Sequence, residues 1–257
     1  MTAGNIERFP KRGSQKSALM VCDESSITNS HNSFSVTGQI VISEATETND
    51  AVTTGFSMHL DAEDEHRLKF KAVAPEAYSA ENDTNYLSMT YHSPIDEEIY
   101  GMGLQYSEWN FKGKSVPLIS DEAGVGRGIQ PITAVQNKNG GGGGTSTTSY
   151  APAAQYITNK QRGFIFDSRS TGIASFDGSE STEMLYWHET AVSGTILWGE
   201  DPLSLAQTLS KTVGTMRPLP EWALKGAIVG IVGGQEFVDE KYALMKDNKL
   251  PMAGIWM

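Results

Sequence analysis

Residues 217–257 read RPLPEWALKGAIVGIVGGQEFVDEKYALMKDNKLPMAGIWM, and the change of pattern inside this stretch sets the fold. Pro218 and Pro220 forbid helix continuation and suit a domain linker. KGAIVGIVGG (225–234) is continuously apolar and β-branched, the composition of a strand buried on both faces of a parallel sheet. QEFVDEKYALMKDNK (235–249) spaces Phe237, Val238, Tyr242 and Met245 as an amphipathic helix does. LPMAGIWM (250–257) is a second apolar strand. Together they predict one β-α-β unit. Two parallel strands and one helix enclose no core, so the sequence predicts an incomplete domain over 216–257.

Immediately before the prolines, DPLSLAQTLSKTVG (201–214) predicts a capped helix. Asp201 is the N-cap, Pro202 takes the first helical position and Gly214 the stop. Leu205, Leu209 and Val213 fall on one side of it.

Further back the period changes from helical to two. Phe34, Val36, Ile40 and Ile42 share a face, with Gly38 between them; Val52, Phe56, Met58 and Leu60 repeat the pattern. Leu68, Phe70 and Ala72 follow, then Leu87, Met89 and Tyr91. Strict alternation puts one face of each strand on a core and the other in water, as in an antiparallel sheet. Polar stretches such as SEATETND (43–50) and SAENDT (79–84) are turn material. RGFIFDS (162–168), IASFD (173–177) and SGTILWGE (193–200) add more short strands. Many strands with no helix between them predict a β-sandwich over residues 1–215. The run Gly140–Gly144 is expected to be a flexible loop tip. No Lys-Ser or Lys-Thr follows it, which excludes a phosphate loop.

Composition narrows the function. A net charge of −11 opposes nucleic acid or an anionic membrane as partner, because both select basic faces. The single cysteine, Cys22, leaves no internal disulfide and fits a reducing, cytoplasmic setting. The first residues, MTAGNIERFPKRGSQKS, hold no apolar signal core, and no stretch is long enough to span a bilayer. Among the five histidines, His59 and His66 alone approach metal-ligand spacing, and they fall on a polar strand and loop; no metal and no cofactor are expected. The sequence leaves the oligomeric state open.

Three segments then resemble a known family in the same order. GMGLQYSEWNFKGKSVPLISDEAGVGRGIQPIT (101–133) is similar to the sandwich domain of glycoside hydrolase family 31, with its Gly-x-Gly-x-Gln start, an aromatic, and a Gly-Lys turn. TTSYAPAAQYITNKQRGFIFD (147–167) resembles the stretch whose loop leans over that family's active site. RPLPEWALKGAIVGIVGGQEFVDEKYALMKDNKLPMAGIWM resembles the opening of its (β/α)8 barrel: Leu-Pro-x-Trp, first strand, helix, and a Gly-Ile-Trp second strand. GIVGGQE paired with GIW is closest to the branch of sulfoquinovosidases and enzymes named α-glucosidases. Where that branch carries a glutamine, this strand has Val232, with Gln235 three residues on. The resemblance covers residues 95 to 257.

It implies a galactose-mutarotase-like sandwich, then a truncated barrel, in the N-terminal part of a retaining α-glycosidase acting on a carbohydrate. Retention takes two carboxylates roughly 5 Å apart, one a nucleophile and one an acid/base. In the family both are aspartates on later barrel strands, so none is assigned here. Asp121, Glu122, Asp239 and Glu240 match no catalytic motif. Barrel active sites lie at the carboxyl ends of strands, which makes Val232, Gln235 and Trp256 candidate substrate contacts, beside Gly233. Gln235 reads equally as the first residue of the helix, and Trp256 as core packing. Thr148, Ser149 and Tyr150 are candidates on the overhanging loop. Arg127, between glycines, fits an anion, a carboxylate or a structural ion pair. The competing reading is a non-catalytic carbohydrate-binding sandwich, against which the β-α-β unit counts; a family member without its aspartates is a third.

Overall fold

A computed structural model of the chain describes residues 20–21, 27–43, 52–73, 86–121, 124, 126–139, 142–187, 189 and 191–256. Cys22, Glu122, Gly140, Gly141, both polar turn stretches apart from Ser43, and the side chains of Ile40, Ile42 and Val52 lie outside the described part. The chain forms two compact units, Met1–Thr212 and Val213–Met257.

The first unit is a sandwich of two antiparallel sheets. The larger sheet contains β1 (Met20–Val21), β2 (Ile27–Ser30), β3 (Ser33–Ser43), β4 (Val52–Asp64), β5 (Arg67–Val73), β7 (Ile99–Gly103), β9 (Pro152–Thr158), β10 (Arg162–Phe166) and β13 (Ala191–Trp198). Its order is β1-β3-β4-β5-β13-β10-β9-β7, with β2 also on β3. The smaller sheet contains β6 (Tyr86–His92), β8 (Ser115–Leu118), β11 (Gly172–Ser175) and β12 (Ser181–Trp187), ordered β6-β12-β11-β8. Alternation works as the sequence requires: Phe70 is buried while Lys69 and Lys71 are exposed, and Phe34 pairs with Leu60 across β3 and β4. One core joins the sheets. Phe70, Tyr156, Phe164, Phe166 and Val192 come from the larger, Val116, Ala174, Met184 and Tyr186 from the smaller. Leu60, Leu87, Met89 and Tyr91 pack on its edge.

Aromatic rings organise this core. Tyr91 and Tyr156 stack on Phe164 at 4.8 and 5.1 Å, and Phe176 meets Tyr156 edge-on at 5.3 Å. The Tyr91 and Tyr156 hydroxyls share a 2.5 Å hydrogen bond. Burial raises both tyrosines above their ordinary pKa, so they remain neutral.

Two helices belong to loops of this region. α1 (Ile132–Asn139) was not foreseen, because Ile132 and Val135 are exposed and no apolar stripe marks it. α2 (Pro202–Val213) is the predicted capped helix. Asp201 Oδ1 accepts from Ser204 N at 2.8 Å, Ser204 Oγ accepts from Asp201 N at 3.0 Å, and Gly214 has φ 84°.

In the second unit a 3-10 turn (Glu221–Leu224) leads into β14 (Ala227–Gly230), α3 (Gln235–Asp247) and β15 (Met252–Trp256). The two strands are parallel, with Val229 opposite Ile255 and Gly230 opposite Trp256. Ile231 and Val238 are its buried apolar residues among those described, while Ile228, Phe237, Tyr242 and Trp256 are exposed.

Candidate functional site

Three loops of the sandwich unit converge on Arg127. It sits between Gly126 and Gly128 with φ 42°, a left-handed conformation unusual for a side-chain-bearing residue. That geometry lets one arginine reach several segments. Its Nη2 donates to the carbonyls of Ser146 (2.7 Å) and Thr148 (3.2 Å), and its Nε donates to Ser107 Oγ at 3.2 Å. Its backbone N–H donates to Gly143 O at 3.1 Å, and the guanidinium lies over the Tyr106 ring, 5.5 Å from the centroid.

The glycine run is packed where it is described. Gly143 and Gly144 are buried, and a Cβ on Gly124 would stand 2.4 Å from Gly143 O. The expected loop tip is thus tied down against its own chain by backbone contacts that glycine alone permits.

The candidate residues of this loop divide by exposure. Thr148 is buried; its hydroxyl accepts from Thr145 N at 2.8 Å and pairs with the Thr145 hydroxyl. Ser149 is buried too, donating to Leu104 O at 2.5 Å. Tyr150 is 51% exposed. The same loops expose two aromatics, Tyr106, 59% exposed, and Trp109, 84% exposed and 5.9 Å from the Tyr100 ring. Exposed aromatic rings beside hydrogen-bonding loops are the usual furniture of ligand recognition. Their bunching in GLQYSEWN was the available signal.

In the second unit, Val232, Gln235 and Trp256 all lie at the carboxyl ends of β14 and β15. Trp256 closes β15, its carbonyl accepting from Ile231 N at 2.9 Å. Val232 is 92% exposed and Trp256 is 74% exposed, so neither is packed away. Gln235 is the first residue of α3 and is exposed. Gly233 (φ 153°) and Gly234 (φ 83°) make the turn into the helix; a Cβ on Gly233 would strike the Phe237 ring at 2.7 Å.

Acid–base chemistry of the retaining kind needs a carboxylic acid with a raised pKa. Where the described carboxylates shift, they go down. Asp64 is lowered by its hydrogen bond from Arg67, and Asp96 by that from Lys160. Burial opposes the charge on Glu97, but hydrogen bonds from Arg162 and Ser93 outweigh it. Among the described residues no three His, Cys, Asp or Glu side chains group as a metal site would. No helix among them is long and apolar enough to cross a membrane.

Comparison with known proteins finds relatives among the glycoside hydrolases. No family model matches the chain. A sulfoquinovosidase of Escherichia coli strain K12 is 25% identical over 203 residues, 78% of this chain and 29% of that protein. A sulfoquinovosidase of Agrobacterium fabrum is 26% identical over 174 residues, 65% of this chain and 25% of that protein. Among solved structures, a GH31 family sulfoquinovosidase from E. rectale superposes with a TM-score of 0.69 at 19% identity, covering 90% of this chain and 32% of its own. The structural likeness is one of fold; the sequence likeness is to glycoside hydrolases. Within them, this chain is related to glycoside hydrolase family 31. It spans between a quarter and a third of the length of the relatives it matches.

Proposed function

We propose that this chain is the N-terminal part of a retaining α-glycosidase that cleaves terminal α-glucosidic or α-sulfoquinovosidic bonds. The observation that carries the reading is the 203-residue likeness to a sulfoquinovosidase. In this reading residues 1–215 form the sandwich domain and 216–257 open a (β/α)8 barrel. Val232, Gln235 and Trp256 then border the sugar pocket, since catalytic groups of such barrels gather at strand carboxyl ends. Thr148 and Tyr150 are the candidate substrate contacts of the sandwich unit itself, Tyr150 offering exposed surface while Thr148 is buried. The partner is a carbohydrate. The single cysteine, Cys22, supports a cytoplasmic setting.

In this reading the nucleophile and the acid/base are aspartates of later barrel strands, and no carboxylate of this chain is assigned to either role. The test has two arms. The 257-residue chain is expected to leave aryl α-glucosides and α-sulfoquinovosides uncleaved. A longer protein continuing past residue 257 is expected to cleave one of them, with the α-anomer appearing first by proton NMR. Turnover by the chain alone overturns the assignment of its carboxylates. An inactive longer protein that still binds sugar favours the carbohydrate-binding reading.

A further inference from the structure

The sandwich unit carries a cavity of about 310 Å3 that the glycosidase reading does not use. Its apolar wall is Leu118, Ala154 and the ring of Tyr186; its polar wall is Ser120 and the segment 168–171 between β10 and β11. Leu118 and Tyr186 come from the smaller sheet and Ala154 from the larger, while the polar wall is built from loops.

Tyr186 is wholly buried, and its hydroxyl has no hydrogen-bond partner among the described residues. Burial raises its pKa, and the carboxylates of Glu189 and Asp167 raise it further, so it is a neutral hydroxyl. Gly172 keeps the ring in place: a Cβ there would stand 2.7 Å from Tyr186 Cδ1. A buried hydroxyl without a partner is rare enough in folded proteins to need a reason.

The polar wall is preformed. Ser168 and Ser170 both donate to Glu189 Oε1, at 2.9 and 2.7 Å, and Ser170 N donates to Ser168 Oγ at 3.1 Å. This ties the segment to one carboxylate and leaves two side chains over. The hydroxyl of Thr171 and the guanidinium of Arg169 make no hydrogen bond among the described residues, and both line the cavity. A donor-only cation and a donor–acceptor hydroxyl, both on the cavity lining, suit a ligand with several hydroxyls of its own. They suit an anion poorly, because Glu189 and Asp167 hold the local field negative.

Ligand pockets run from about 300 to 1,000 Å3, and this one stands at the small end. We propose that the sandwich unit binds one neutral sugar ring in this cavity, with Thr171 and Arg169 bonding its hydroxyls. The proposal is independent of any hydrolytic activity.

The test is amide NMR of the full chain titrated with D-glucose, and separately with inorganic sulfate. Saturable shifts at Ser120 and at 168–171 are expected. Thr171→Ala and Arg169→Ala are each expected to weaken the affinity about tenfold while leaving the remaining amide peaks in place. Both side chains project from a loop, and Thr171→Ser, which keeps the hydroxyl, is expected to restore binding. Shifts that rise without saturating, that lie elsewhere, or that survive the alanine substitutions overturn the site. So does tighter binding of sulfate at the same amides, which would make it an anion site. An inactive longer protein would leave these shifts unchanged, so the two readings fail separately.

Discussion

Arg162 grips Glu97 with two prongs, Nε to Oε1 and Nη2 to Oε2, each 2.6 Å long. Glu97 is 2% exposed and also accepts from Ser93 Oγ at 2.7 Å. Lys112 Nζ donates to the same serine at 3.0 Å, and Arg162 donates to His92 O at 2.8 Å. The pair ties the segment before β7 to β10, against the stacked Tyr91–Phe164–Tyr156 rings. Removing one partner of a buried pair strands the other charge, at about 3–5 kcal/mol. Arg162→Ala is therefore expected to lower the stability by about 3 kcal/mol, near the bottom of that range because Arg162 itself is partly exposed. The urea midpoint, read with an unchanged slope, checks this.

The same carboxylate sets a pH dependence. Glu97 has a folded pKa below its ordinary 4.5. A depressed carboxylate adds stability that is fully present above the unfolded pKa and lost as pH falls through the folded one. Stability is thus expected to be flat from neutral pH down to about 4.5 and to fall below it. Glu97→Gln is expected to lower stability at neutral pH and to shallow the acid-side fall. A wild-type acid profile retained by the variant would contradict the assignment.

Arg127 makes its own case. Its loss would leave the carbonyls of Ser146 and Thr148 without their donor. A deserted buried acceptor costs about 1–3 kcal/mol, most of it local. Arg127→Ala is expected to speed amide exchange over residues 142–150 while the strand amides of the core keep their protection. Equal acceleration in β10 and β13 would show that the loops and the core open together.

Gly194 lies at the middle of β13, opposite Phe70 and Phe166. A Cβ there would stand 2.1 Å from Ile165 O and 2.8 Å from the Phe70 ring. Neither neighbour is the free end of a flexible chain. Gly194→Ala is expected to cost about 1–3 kcal/mol as overpacking, read as a fall in thermal midpoint. A neutral outcome would mean that β10 and β13 slide apart without penalty.

The second unit exposes Ile228, Val232 and Trp256, and its two-strand sheet offers open edges. Exposed apolar surface and bare edges promote association. A chain ended after Thr215 is expected to stay monomeric at concentrations where the full chain associates, measured by light scattering. If the shortened chain melts lower, residues 216–257 contribute to the stability of the sandwich.

The sequence by itself determined the kinds of element and their faces. Period-two alternation at Phe70 and its exposed neighbours, the cap at Asp201, and the apolar runs around Val229 and Ile255 are local signals. They follow from backbone geometry and from which side chains leave water. It also marked Val232 and Trp256, because strand ends can be read from where apolar runs stop. What only the tertiary structure decided involves residues far apart in the chain. Strand order in the sheets, the Arg162–Glu97 pair sixty-five positions apart, the three loops gathered on Arg127, and the cavity beside Tyr186 are all of this kind. No periodicity encodes them, since each depends on how two sheets close over a shared core. The glycine run shows the boundary. Its composition allowed a free loop or a close backbone approach, and the packing of Gly143 against Gly124 chose the second.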